Sequence, residues 1–228
     1  MSALQQQGPQ RQTVRHRGLR RFLEPASRVE RCELCGTAVA PRHRHLVDTR
    51  ARSLACACPP CALLFDRGDG AGSRYRTVPD RYLRDPGHTV DDAAWDSLQI
   101  PVSMAFFFRN AELDRLIALY PSPAGATESE LDPGLWQDVL GRTPLAGLLA
   151  DDVEALLVRR VPAPGECFLV PIDACYELVG RMRLHWQGFD GGSEARRELD
   201  TFFAGLVARS RPAGVAAALA TGSPGAAG

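Results

Sequence analysis

Five cysteines crowd into residues 32 to 61 of this chain, and four of them form two Cys-x-x-Cys pairs: Cys32 and Cys35 in CELCG, Cys58 and Cys61 in CPPC. Two cysteines separated by two residues can wrap one ion, with backbone N–H groups of the turn pointing at the sulfurs and stabilising thiolate charge. Gly36 directly follows the first pair, where a residue tolerating positive φ suits the turn. Twenty-two residues separate Cys35 from Cys58, enough for a β-hairpin that returns the second turn beside the first. Within that stretch His43, His45 and Val47 alternate with Arg44, Leu46 and Asp48. Asp48 to Ala51 then offers a turn into a return strand, Ser53 to Ala57. The spacing predicts a tetrahedral four-thiolate site.

Five cysteines compete for four positions. Paired turns satisfy the geometry most simply, so the expected ligands are Cys32, Cys35, Cys58 and Cys61. Cys56 is then a small buried strand residue, or a substitute ligand in place of Cys58. Two such pairs bridged by a hairpin are the zinc-ribbon arrangement, which also resembles rubredoxin. Four thiolates suit zinc or iron. Zinc is the expected occupant, with iron the alternative, because Ala62, Leu63, Leu64 and Phe65 follow the second pair where a rubredoxin usually carries a small flexible residue. Residues 28 to 65 also lack a rubredoxin's aromatic core. Strand alternation accounts for His43 and His45 without ligation.

The remaining chain divides around this cluster. Residues 1–27 read as a disordered basic arm, 28–65 as the zinc-ribbon-like cysteine module and 66–80 as a Gly- and charge-rich linker. Residues 81–210 read as an α+β domain and 211–228 as a disordered Ala/Gly/Pro tail. In the large block, Ile100–Arg109 and Arg115–Tyr120 predict a hairpin, and Pro121–Ser129 a structured loop. A short helix is expected over Leu135–Leu140 behind Asp132-Pro133. Strands are expected at Val153–Arg160 and Cys167–Pro171. Asp173 is placed as the cap of a helix running to Trp186, and a last helix starts near Ser193. The fold class expected is α+β, with helices covering one face of an antiparallel sheet.

Composition excludes several functions. Formal charge is zero, with 27 basic and 27 acidic residues, so broad electrostatic attraction to nucleic acid or anionic membrane is not expected. Every basic residue is Arg, which removes lysine nucleophiles, Schiff bases and P-loops. No apolar run is long enough to span a membrane, and no apolar segment near the start suggests export. Clustered cysteines in such a chain favour metal over disulfides and a reducing cytoplasm. Cys175 and His185 invite a nucleophile-and-base pairing, but ten residues along one helix separate them by about 15 Å. Cys167 and Cys175 both sit in apolar patterns that suit inert core thiols. The loop bearing Glu128 and Glu130 is polar enough to carry function, though connecting a strand to a helix explains it as well. No catalytic residue is assigned, and a non-enzymatic role is favoured.

In combination, CELCG, RHRHLVD, CAC-x-x-CALLF, IPVSMAFFFRN, ALYPSPAGATES and VPIDACYELVGRMRLHW resemble an actinobacterial family encoded beside genes for a high-affinity uptake nickel–iron hydrogenase. The resemblance covers residues 28 to 210. It implies a context of hydrogen oxidation and its assembly; joined to the four-cysteine site, the expectation is a non-catalytic metal-binding accessory protein supporting the assembly, maturation or partner binding of that hydrogenase. The partners it implies are proteins, hydrogenase subunits or maturation factors. A rubredoxin-like iron electron carrier linked to the hydrogenase is the alternative.

Overall fold

The computed structural model describes residues 29–66, 74–88, 90, 92–122, 125–161, 165–186 and 192–214. The arm expected over 1–27 lies outside them, as do 67–73 of the expected linker and 215–228 of the expected tail.

The cysteine-bearing segment is built on a hairpin, β1 (Arg44–Asp48) and β2 (Ser53–Ala57), where alternation predicted it. Asp48 shapes the turn: its Oδ1 accepts from the backbone N–H groups of Arg50 and Ala51 at 3.1 and 3.0 Å. This local carboxylate-to-backbone bonding is what favours Asp at such turns. Leu46 opposes Ala55, and His45 opposes Cys56. Leu46, Ala55, Ala57 and Ala62 form a small core on one face. Val47 and Leu54, on the other face, pack into the main core. A helix of one turn and a little more, α1 (Pro59–Leu63), follows directly.

A third strand, β3 (Tyr75–Thr77), pairs antiparallel with β1 to give the order β2-β1-β3. This corrects the reading of 66–80 as linker throughout. Three residues are too few to show alternation, so β3 left no pattern in the sequence.

The second sheet is formed by β4 (Leu83–Asp85), β5 (Met104–Asn110), β6 (Arg115–Ser122), β7 (Gly125–Glu130), β8 (Glu154–Arg159), β9 (Glu166–Pro171) and β10 (Arg211–Pro212). Its order is β10-β4-β9-β8-β5-β6-β7. Every pairing is antiparallel except β10 with β4. The hairpin expected across Asn110–Asp114 is present as β5 and β6. The loop expected over Pro121–Ser129 is instead the end of β6 and most of β7. The tail expected from residue 211 begins as β10.

Helices cover both faces of this sheet, which corrects the expected one-faced arrangement. On one face α4 (Ile172–His185) and α5 (Gly192–Arg209) bury Cys175, Leu178, Phe202 and Phe203 against Phe106, Leu157 and Phe168. On the other, α2 (Asp92–Ser97) and α3 (Pro133–Val139) bring Trp95 and Trp136 against Phe107, Leu156 and Leu169. The reason is visible in the strands: Met104-Ala105-Phe106-Phe107 and Ala155-Leu156-Leu157-Val158 are apolar at every position, so both faces need cover. At α3, Asp132 caps as expected, its Oδ1 accepting from the Gly134 N–H at 2.8 Å. At α4 Pro171 takes the cap position, and the Asp173 side chain is engaged elsewhere.

The small sheet is fastened to the large domain. Val47 and Val78 lie within the large core. Arg76 donates to the Asp151 carbonyl at 2.7 Å and to the Asp152 carboxylate at 3.2 Å. Arg52 reaches Glu128 on β7 at 3.1 Å.

Candidate metal centre

The first Cys-x-x-Cys turn is closed by its own backbone. The Gly36 N–H donates to the Cys32 carbonyl and the Cys32 N–H to the Thr37 carbonyl, both at 2.8 Å. Gly36 has φ of +75°, the conformation that its place after the pair predicted. In the second turn Cys58 is the N-cap of α1 and Cys61 lies in its first turn, with Pro59 entering the helix between them. Pro is favoured there because the first helical N–H has no helical partner to lose. Glu33 joins the two turns: its N–H donates to the Cys56 carbonyl at 2.9 Å, and its carboxylate accepts from the Cys56 N–H at 3.0 Å.

This framework brings the sulfurs of Cys32, Cys35, Cys58 and Cys61 within 4.8 Å of one another. Cys35 and Cys58 are 3.6 Å apart at Sγ. A tetrahedral ion with metal–sulfur bonds of about 2.3 Å needs sulfurs about 3.8 Å apart. The four residues fit a metal ion of thiolate preference. Cys32 and Cys58 are buried, Cys61 is half-buried and Cys35 exposed, so one edge of the site faces solvent.

The thiols differ in how readily they ionise. Burial opposes ionisation of Cys32, but backbone N–H groups of Cys58, Cys35 and Leu34 aimed at its sulfur outweigh it and bring it down to about 6. Cys35 is lowered by the Thr37 hydroxyl and backbone. Cys58 receives the Cys61 N–H, yet burial and the neighbouring sulfurs of Cys35 and Cys32 push it up overall. Cys61 is pushed up to about 12, first by Cys58 and then by burial and the other sulfurs. Four thiolates this close repel one another, and a dication removes the conflict. The quartet could hold such an ion, and binding it would release protons.

The family model for DUF5947, a family of unknown function, matches residues 31–210. The chain belongs to this family. The DUF5947 match begins one residue before Cys32 and ends just past α5, so it takes in both the four-cysteine group and the large sheet up to β9. Neither a curated protein nor a solved structure matches the chain.

Other residues singled out in the sequence of this DUF5947 protein have structural surroundings of their own. Cys56, the possible substitute ligand, groups with His43 and His45, one ligand atom of each lying within 4.8 Å of the others. Cys175 is fully buried, and burial first, with Asp173 nearby, drives its thiol well above the ordinary value. Cys167 is pushed up to about 12, chiefly by burial. Both are core thiols, as their apolar surroundings predicted. His185 lies 3.2 Å from Glu194 across the α4–α5 junction. Glu128 is paired with Arg52. Asp173, expected as a helix cap, has a different role. Its Oδ2 lies 2.9 Å from His45 Nδ1, although 128 positions separate the two in sequence. Only the fold brings them together. Among the described residues no helix is long and apolar enough to cross a membrane.

Proposed function

We propose that this protein is a metal-binding accessory protein, in which Cys32, Cys35, Cys58 and Cys61 hold a structural zinc ion in a zinc-ribbon-like module. The α+β domain supplies the surface for a protein partner. The observation that carries this reading is the convergence of four sulfurs within 4.8 Å of one another, near enough for one tetrahedral ion to gather them. Four protein ligands close the coordination shell, which is the arrangement of structural zinc rather than catalytic zinc. No step of a reaction is assigned to it. The resemblance of the motifs to proteins encoded beside an uptake nickel–iron hydrogenase supports a hydrogenase subunit or maturation factor as the partner, in the cytoplasm.

Iron in the same quartet gives a second reading, an electron carrier for the hydrogenase. The exposed edge at Cys35 favours it, because electron exchange with a partner needs a cluster edge near the surface.

Metal analysis and the visible spectrum of natively expressed protein separate the two. Zinc and a colourless solution are expected; iron with a red ferric-thiolate spectrum and a reversible one-electron couple overturns the zinc assignment. Deleting the gene in its host is expected to lower hydrogenase activity, and affinity capture of the protein to recover hydrogenase components. Unchanged activity and subunit processing in the deletion strain would sink the hydrogenase connection.

A further inference from the structure

We infer that His43, His45 and Cys56 form a second metal site, separate from the four-cysteine centre, which binds a borderline divalent transition-metal ion and leaves coordination positions open. The three side chains share the hairpin face that is turned toward the large domain. His45 on β1 is the register partner of Cys56 on β2. His43 stands immediately before β1, two residues ahead of His45. The two imidazole centroids are 4.6 Å apart with planes inclined at 54°, and one ligand atom from each of the three residues lies within 4.8 Å of the others.

Hydrogen bonds fix which ring nitrogen is offered. His43 Nδ1 is 2.8 Å from the Ala40 carbonyl oxygen, which can only accept, so Nδ1 carries the proton. His45 Nδ1 is 2.9 Å from the Asp173 carboxylate, which imposes the same tautomer. With Nδ1 occupied in both rings, Nε2 is the nitrogen left to offer a lone pair to an ion. Carbonyl or carboxylate acceptors on the far nitrogen are the supports that metal-ligating histidines characteristically have. The His43 side chain is only 5% exposed, and its Nε2 is buried without a hydrogen-bond partner. Asp173 Oδ1 is also buried and unpartnered. A histidine placed merely by strand alternation would turn its free nitrogen to solvent; a buried lone pair without a donor is unfavourable unless something binds it. Both backbone bonds to Glu33 hold Cys56 in place.

Two imidazoles and a thiolate suit zinc, cobalt, nickel or copper and disfavour magnesium and calcium, which take oxygen ligands. Three protein ligands leave room for water or an incoming donor, so this ion exchanges where the four-cysteine ion stays.

The test is titration of reduced, full-length protein, its four-cysteine centre already loaded, with Co²⁺ alone. One further equivalent is expected, with a thiolate-to-cobalt charge-transfer band and with ring ¹⁵N signals of His43 and His45 perturbed. His43→Ala and Cys56→Ser should each abolish that equivalent while keeping the first ion. Asp173→Asn, which removes a positioning residue, should weaken it about 10- to 100-fold. A wild-type protein that takes up no second equivalent, or a second equivalent that leaves both histidine signals and the Cys56→Ser variant unaffected, overturns the site. Either result leaves the four-cysteine reading standing, because the first ion is counted separately.

Discussion

The Glu154 side chain has none of its surface exposed, and Arg81 clasps it, Nε and Nη2 each donating to one carboxylate oxygen at 2.6 Å. The Ala150 N–H adds a third bond at 3.0 Å. The pair is lopsided: Arg81 is 42% exposed, so it can return to water when its partner is lost, whereas Glu154 cannot. Removing one member of a buried pair is costly mainly through the charge left behind. Arg81→Met is therefore expected to lose about 3 to 5 kcal/mol of stability in urea unfolding. Glu154→Gln should lose clearly less, since the amide oxygen still accepts from Ala150. Equal losses would show that the stranded carboxylate does not dominate. This pair was invisible in the sequence, as was His45 with Asp173, because 73 and 128 positions separate the partners. The cysteine quartet was legible for the opposite reason: each Cys-x-x-Cys turn encodes its own geometry within four residues.

Elements were legible where they imposed a period. Alternation through Arg44–Asp48 and the helical spacing from Cys175 to Met182 both yielded the observed structure. The Pro121–Ser129 segment misled because Pro and Gly usually interrupt strands. Here Pro121 pairs only with Ala126 on β7, beyond the last β5–β6 partners, Phe106 and Leu119, so its missing N–H leaves no second neighbour unsatisfied. At the β1–β2 hairpin, Arg74 Nε and Nη2 donate to Asp48 Oδ2 at 2.8 and 2.7 Å, beside the two turn N–H bonds. Those contacts, Arg74 first, hold the Asp48 carboxyl below its ordinary range. A carboxyl depressed in the folded state stabilises at pH above its unfolded value, about 3.9, and that contribution disappears as pH falls through the folded value. Asp48→Asn should accordingly be less stable than wild type at pH 7, with the gap closing on acidification below pH ~4. Urea midpoints of both proteins across that range provide the check, and a gap that widens toward acid would contradict the Arg74 assignment.

For the whole molecule, the decisive arrangement is that the cysteine-bearing sheet lends Val47 and Val78 to the core built by α4, α5 and the large sheet. A metal that binds only the folded state stabilises whatever folds with its site. Stripping it with a chelator is thus expected to lower the melting temperature of the entire chain in one transition, followed by calorimetry and by near-ultraviolet signals from the tryptophans of the large domain. A separate low-temperature transition that leaves those signals untouched would show two independently folding units. Finally, both margins of the seven-stranded sheet are blunted. One margin, β10, is two residues long and ends in Pro212; the other, β7, reads GATESE, with Glu128 drawn back toward Arg52. Charges, proline and brevity are the devices that stop a stray strand from zipping onto an open border. Fibril growth has little to seed on along these two borders.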